Sequence, residues 1–151
     1  DKLVMGNIDS LRDIGNSKDY VEGMWLMLQQ DQAEDFVIAT GVTTSVREFI
    51  KMAFKEVGVE LEFKGEGVDE IGIVKSINNR DYDFQIGQVV IQVDPNYFRP
   101  TEVDLLVGDN TKAKTKLGWK PKYSLPVLIK EMMQADIELF RKEKYLQNYN
   151  R

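Results

Sequence analysis

The sequence predicts an α/β fold that begins as part of a parallel sheet and ends as a small mixed domain. Three observations lead to this prediction. A continuous apolar run at residues 36–39, ended by a Thr-Gly pair, is typical of a strand buried on both faces of a parallel sheet. Apolar residues recur with helical spacing on either side of this run. Short alternating or apolar segments at residues 61–63, 71–77 and 89–93 then predict further strands.

The first part of the chain predicts a strand, a loop and a helix. Residues 3–5 form a short apolar segment, and we expect this strand and the one at 36–39 to pair with strands outside this chain. A polar loop with glycines follows, and Ser17 or Asp19 is a candidate cap for a helix that begins near Tyr20. One face of this helix is apolar and is expected to be buried: Val21, Met24, Trp25 and Leu28.

The second helix has clear signals at both ends. Ser45 and Glu48 form a capping box, and Gly58 ends the helix. Arg47 is expected to be a solvated charge on the outer side of this helix. The Asp69-Glu70 pair is likewise expected in solvent.

The remaining elements are short until the last helix. Residues 65–67 predict a glycine turn, because no helix signal follows that would make the segment a phosphate cradle. The strands at 71–77 and 89–93 are expected to form an antiparallel pair. Residues 97–100 are extended because Pro100 excludes the preceding residue from helical geometry. A short helix at 111–117 ends at Gly118, and Ser124 caps a long helix whose apolar side carries Leu125, Leu128, Ile129, Met132 and Phe140.

Composition excludes several classes of function. The 151 residues carry a formal net charge of −5, which argues against binding of duplex nucleic acid or an anionic membrane through diffuse positive charge. The chain has no histidine and no cysteine, so imidazole bases, thiolate nucleophiles and the usual zinc ligands are missing. The lack of cysteine favours a reducing compartment, the cytoplasm. No apolar run is long enough to span a membrane.

Two arginines in loops are the candidates for ligand binding. Arg12 lies in a glycine-containing loop after a strand, and Arg99 is held between Phe98 and Pro100. A guanidinium group suits bidentate contact with phosphate, and Glu102 could accept hydrogen bonds from a vicinal diol. The residues alone leave an alternative open, in which Arg12 pairs with the neighbouring Asp13 and Arg99 pairs with Glu102.

A series of ordered sequence blocks resembles the GDP-mannose 4,6-dehydratase family. The resemblance extends over about residues 3–140 and includes the blocks at 6–13, 34–41, 97–103 and 116–121. It implies membership of the extended short-chain dehydrogenases, in which a Rossmann domain binds the dinucleotide and a smaller C-terminal domain binds the nucleotide sugar. Residues 1–58 would then include elements that complete the Rossmann sheet, residues 59–141 would form the substrate domain, and residues 142–151 would be a frayed tail.

The resemblance also implies a reaction and its cofactor. Such enzymes use NADP to take hydride from C4 of GDP-mannose, eliminate water across C5 and C6, and return the hydride to C6, which gives GDP-4-keto-6-deoxymannose. The dinucleotide loop and all catalytic residues would lie upstream of residue 1, so this chain is expected to contain no catalytic residue. We expect the complete enzyme to be a homo-oligomer, and neither nucleic acid nor a membrane to be a partner.

The family pattern assigns roles to the three candidate residues. Arg12 and Arg99 match positions that contact the pyrophosphate of the nucleotide sugar, and Glu102 matches a position that holds the ribose hydroxyls. The sequence departs from the family pattern at Ile14 and Asn16, which follow the Arg-Asp pair. Other interpretations are an epimerase or dehydratase acting on another nucleotide sugar, a GDP-sugar-binding module without catalysis, and a structural or interaction domain.

Overall fold

The computed structural model describes residues 2–103 and 105–149 as an α/β fold with two small sheets. Seven strands lie within these residues: β1 (Leu3–Met5), β2 (Leu11–Asp13), β3 (Thr43–Ser45), β4 (Val59–Lys64), β5 (Ile71–Ile77), β6 (Val89–Val93) and β7 (Leu105–Leu106). The four α-helices are α1 (Ser17–Leu28), α2 (Val46–Glu56), α3 (Thr111–Leu117) and α4 (Leu125–Tyr149). None of the described helices is long and apolar enough to cross a membrane.

The larger sheet has the strand order β1-β6-β5-β4. The predicted antiparallel pairing of β5 with β6 is confirmed, and β4 pairs with β5 in antiparallel orientation too. In β4 the buried Val59 and Leu61 alternate with exposed glutamates, so one face is available to pack on α2. The core of this layer is formed by Ile50, Val57, Val59, Val74, Val90, Ile91 and Val93.

Within this chain β1 lies parallel to β6 with Leu3 opposite Ile91, and it is an edge strand of the described sheet. The pairing of its other edge with a strand outside this chain stays a prediction. Strand β1, from the predicted Rossmann part at residues 1–58, therefore shares a sheet with strands of the predicted substrate domain at residues 59–141. The division of the chain at residue 58 remains a prediction.

The smaller sheet has the order β3-β2-β7. The central strand β2 is antiparallel to β3 and parallel to β7, with Arg12 opposite both Thr44 and Leu106. This sheet brings residues from three distant parts of the chain into contact around Arg12.

Helix α1 differs from its prediction in its cap and in its buried face. The cap is Asn16, whose side chain accepts a hydrogen bond from the Lys18 N–H at 2.9 Å. The buried side carries Asp19 and Gly23, and a Cβ at Gly23 would lie 3.2 Å from Trp119 Nε1. The apolar face that was predicted to be buried is exposed instead: Val21, Met24, Trp25 and Leu28.

No strand is described at residues 36–39, contrary to prediction. A buried strand needs neighbours on both sides, and among the described strands none pairs with this segment. It is held by other contacts: Asn110 donates a hydrogen bond to the carbonyl oxygen of Ala39 at 2.6 Å, and Gly108 lies so close that an added Cβ would be 2.3 Å from the Ala39 Cβ.

The signals of α2 are confirmed at both ends. The Ser45 hydroxyl accepts a hydrogen bond from the Glu48 N–H at 3.1 Å, and Gly58 follows the helix with a φ of +76°. The turn at residues 65–67 is confirmed too, because it leads through a 3-10 turn at Gly67–Asp69 into β5.

Helix α4 is longer than predicted. Residues 142–149, predicted as a frayed tail, continue it to Tyr149, and residues 150–151 lie outside the described residues. Its buried side centres on Ile129, while Met132 and Phe140, predicted on the apolar side, are exposed.

Candidate functional site

The candidate residues lie where the segment 97–103 crosses the loop between β1 and β2. Arg12 is on β2, and Glu102 lies in the segment that precedes β7, the parallel neighbour of β2. The strand pairing therefore places Arg12 and Glu102 side by side although they are 90 residues apart in sequence.

Arg12 is held by three hydrogen bonds within the described residues. Its Nη1 donates to the carbonyl oxygens of Leu11 and Val103, both at 2.9 Å, and its Nη2 donates to Glu102 Oε1 at 2.8 Å. A guanidinium group has five N–H donors. Among the described residues, the Nε–H and one Nη2–H of Arg12 and the second carboxylate oxygen of Glu102 make no hydrogen bond.

Both ion pairs of the alternative interpretation are absent from the described residues. Asp13 does not pair with Arg12, because its carboxylate accepts hydrogen bonds from the Thr40 N–H at 2.9 Å, the Thr40 hydroxyl at 2.5 Å and the Gly41 N–H at 2.8 Å. Burial alone would raise the pKa of Asp13, but these hydrogen bonds and one from Gly108 lower it below its ordinary value. Glu102 pairs with Arg12, not with Arg99.

Arg99 is fixed through its backbone and not through its side chain. Its N–H donates to Asn7 Oδ1 at 2.7 Å, and its carbonyl oxygen accepts from Asn7 Nδ2 at 2.9 Å. The side chain is exposed, and within residues 2–103 and 105–149 its guanidinium group makes no ion pair. This group is therefore available to an anion.

Two clefts adjoin these residues. One, of about 420 Å³, lies between the loop at residues 6–11 and the side chains of Glu70, Val93 and Phe98. The other, of about 430 Å³, is lined by Ile14, Thr44 and residues 121–126. Thr44 lies directly opposite Arg12 in the β2–β3 pair, so the second cleft is next to Arg12.

The two departures from the family pattern have clear places in the structure. Ile14 lines the second cleft, and Asn16, which is 2% exposed, caps α1. Both leave Arg12 in its hydrogen-bonded position.

Sequence reasoning missed an ionic cluster at the edge of the first cleft. Arg47, predicted to be solvated, lies between Asp9 and Glu70: its Nε donates to Asp9 Oδ1 at 2.7 Å and its Nη2 to Glu70 Oε2 at 2.9 Å. Glu70, also predicted in solvent, is 8% exposed. The hydrogen bonds that Arg47 donates to Glu70, and then those to Asp9, raise the pKa of Arg47. The partners are 23 and 38 residues from Arg47, and no local pattern signals them.

Solved structures share this fold. A UDP-glucose 4-epimerase from Thermotoga maritima with UDP-glucose aligns with 95% of this chain and 36% of its own, at 26% identity and a TM-score of 0.61. RMD from Pseudomonas aeruginosa, complexed with NADPH, aligns with 88% of this chain and 35% of its own, at 16% identity and a TM-score of 0.62. The fold of this chain is thus that of about a third of a UDP-glucose 4-epimerase chain.

Sequence relatives narrow this class to one family. A GDP-mannose 4,6-dehydratase of Vibrio cholerae is 52% identical over 145 residues, which are 95% of this chain and 39% of the relative. The human GDP-mannose 4,6 dehydratase is 50% identical over 137 residues, 91% of this chain and 34% of the relative. The family model described as GDP-mannose 4,6 dehydratase matches residues 1–132. The chain belongs to this family, and it spans between a third and two fifths of the length of these relatives.

Proposed function

We propose that this chain is the GDP-mannose-binding part of a GDP-mannose 4,6-dehydratase, which converts GDP-mannose to GDP-4-keto-6-deoxymannose with loss of water. The observation that supports this function best is the match of the family model and of relatives at about half identity over most of the chain. The full-length protein is defined as this chain together with the N-terminal half that we propose precedes it.

The roles of the three candidate residues are part of this proposal. Arg99 offers to the pyrophosphate an exposed guanidinium group that makes no ion pair within the described residues. Arg12 adds the two N–H groups that its contacts with Leu11, Val103 and Glu102 leave over. Glu102 keeps one carboxylate oxygen for the ribose hydroxyls. These contacts would hold the nucleotide, and the sugar would extend toward the catalytic residues of the N-terminal half.

The cofactor of the full-length protein is proposed to be NADP, bound by the N-terminal half. The glycine turn at 65–67 does not fit a phosphate cradle, because it leads through a 3-10 turn into a strand and not into the N-terminus of an α-helix. We also propose a homo-oligomeric enzyme in the cytoplasm, the compartment that the lack of cysteine favours.

The runner-up is an epimerase or dehydratase for another nucleotide sugar, which the epimerase of T. maritima exemplifies at 26% identity. Turnover assays of the full-length protein with GDP-mannose, UDP-glucose and dTDP-glucose separate the two. Preferred turnover of a UDP- or dTDP-sugar would contradict the proposal.

The contact of Arg99 with the pyrophosphate is tested by Arg99→Ala in the full-length protein. Loss of a charge-assisted, bidentate contact should weaken GDP binding by about 1.5–3 kcal/mol, or one to two powers of ten. Arg99→Lys should recover only part of this loss, since an ammonium group lacks the planar fork. Titration calorimetry with GDP measures both effects.

A matched control is Arg80→Ala, which removes an exposed arginine from the loop between β5 and β6. GDP affinity should stay at the wild-type value in this variant, and NADP affinity should stay unchanged in all of them. Wild-type GDP affinity in Arg99→Ala would remove Arg99 from the site.

A further inference from the structure

The backbone of Arg99 is held on both sides by one side chain. The Asn7 amide accepts the Arg99 N–H at 2.7 Å and donates to the Arg99 carbonyl oxygen at 2.9 Å, across 92 residues of sequence. An amide can make both contacts at once because it has an acceptor and donors on one planar group. Asn7 thus bonds to both backbone groups of Arg99, as a paired residue on a neighbouring strand would.

The loop that carries Asn7 is itself firmly held. Ile8 is 3% exposed, and its carbonyl oxygen accepts a hydrogen bond from the Arg47 N–H at 2.7 Å. The side chain of Arg47 also grips Asp9 through two hydrogen bonds of 2.7 Å. Asn7 is therefore anchored from the side of α2.

The segment before Arg99 approaches the same loop closely. A Cβ at Gly6 would lie 2.3 Å from the Tyr97 carbonyl oxygen, so only glycine allows this approach. The Asp94 carbonyl oxygen accepts hydrogen bonds from the N–H groups of Tyr97 and Phe98, both at 3.0 Å. The turn is thereby fixed up to Arg99, and the Asn7 amide continues the restraint where these backbone bonds end.

We infer that Asn7 is a positioning residue for Arg99: its amide fixes the Arg99 backbone so that the free guanidinium group faces the nucleotide without a further loss of backbone freedom on binding. The inference rests on the proposed function. Ordering a segment on binding weakens affinity, and a segment that is already ordered avoids this loss. Asn7 does not need to touch the ligand for this effect.

The test compares Asn7→Ala, Asn7→Asp and the control Asn96→Ala in the full-length protein. Asn96 is an exposed asparagine in the same turn whose side chain contacts only Asp94 among the described residues. Titration with GDP gives the affinity, and hydrogen exchange of the Arg99 N–H reports directly on its hydrogen bond with the Asn7 amide. Each Asn7 variant is also combined with Arg99→Ala.

Asn7→Ala should raise the Kd for GDP by about two- to tenfold in the wild-type background and accelerate exchange of the Arg99 N–H. In the Arg99→Ala background the same substitution should leave the Kd unchanged within about twofold, because nothing is left to position. Asn7→Asp keeps the acceptor for the Arg99 N–H and loses the donor, so it should weaken binding while the N–H stays protected. Asn96→Ala should change neither readout.

Three results would overturn the inference in distinct ways. An equal loss of affinity in both backgrounds would mean that Asn7 contacts the ligand itself. Unchanged affinity in both Asn7 variants, with a loss in Arg99→Ala, would reject the positioning role and leave the proposed function intact. Unchanged affinity in Arg99→Ala alone would reject the phosphate contact of Arg99, and with it the positioning role of Asn7.

Discussion

Replacing Arg47 by methionine should strongly destabilise the fold. The Arg47 side chain is 18% exposed, bonds to both oxygens of Asp9 and of Glu70, and stacks on Phe63 with its guanidinium carbon 4.7 Å from the ring centroid. Methionine keeps much of the apolar stem but removes every one of these polar contacts. The substitution therefore tests the charged guanidinium group separately from the apolar stem of the side chain.

The loss of stability differs between the two carboxylates that bond to Arg47. The Glu70 side chain is only 10% exposed, so without Arg47 a charge is left buried and unpaired. Breaking a buried pair in this way typically costs about 3–5 kcal/mol. The Asp9 side chain is 72% exposed and solvent replaces its contacts, so its share is about 1 kcal/mol or less. We expect a total loss of about 3–6 kcal/mol.

The assay is urea unfolding of the full-length protein, followed by circular dichroism, with Lys51→Ala as the control. Lys51 lies on the same helix, 5.9 Å from the same ring, and pairs with the exposed Glu48. Its removal should change the free energy of unfolding by about 0.5 kcal/mol or less. The double variant Arg47→Met with Glu70→Met should recover part of the loss, because no buried charge remains.

A free energy of unfolding for Arg47→Met within about 0.5 kcal/mol of wild type would refute this reasoning. It would mean that solvent replaces the contacts of Glu70 at no cost once Arg47 is gone. A double variant less stable than Arg47→Met alone would likewise contradict the buried-charge explanation.

Three further predictions concern the chain itself. The 151-residue chain alone should show no dehydratase activity with GDP-mannose and NADP, and measurable turnover by the pure chain would contradict the proposed division of roles. Asp13→Asn should make the free energy of unfolding depend less on pH in the acid range. Because the pKa of Asp13 is lowered in the fold, its carboxylate stabilises the fold at pH values above 3.8, its ordinary pKa. This contribution is lost as the pH falls through the pKa of the folded state. Unfolding curves between pH 7 and 3 should therefore converge for variant and wild type. Finally, the chain alone should associate through the exposed face of α1, and a monodisperse monomer at tens of micromolar in sedimentation velocity would count against this.

The sequence predicts elements best where the signal is local. The cap at Ser45, the stop at Gly58 and the end of α3 at Gly118 each depend on residues within four positions, and the structure has all three. The antiparallel pairing of β5 with β6 followed from two apolar segments separated by one polar loop.

Prediction fails where burial is decided by distant residues. The stripe of α1 that includes Trp25 has the periodicity of a buried face, yet in the described chain α1 is buried on its other side, against Trp119 and Ile38. Periodicity shows which face is apolar, but not whether anything covers it. The apolar run at 36–39 fails in the same way, since a strand requires neighbours that the run itself does not contain.

The candidate site shows the same limit in its electrostatics. The residue pattern indicated Arg12, Arg99 and Glu102 as candidates and the resemblance assigned their roles, but only the structure shows that Arg12 and Glu102 form an ion pair at 2.8 Å. On a chain with a net charge of −5, Arg99 then supplies the positive charge of the proposed site that makes no ion pair within the described residues. In the proposed site, the ion pair with Glu102 would weaken the attraction of Arg12 for phosphate but would orient Arg12 before the ligand arrives. We therefore expect Arg12 to contribute mainly to orientation and Arg99 mainly to electrostatic attraction. The salt dependence of GDP binding should accordingly fall more in Arg99→Ala than in Arg12→Ala.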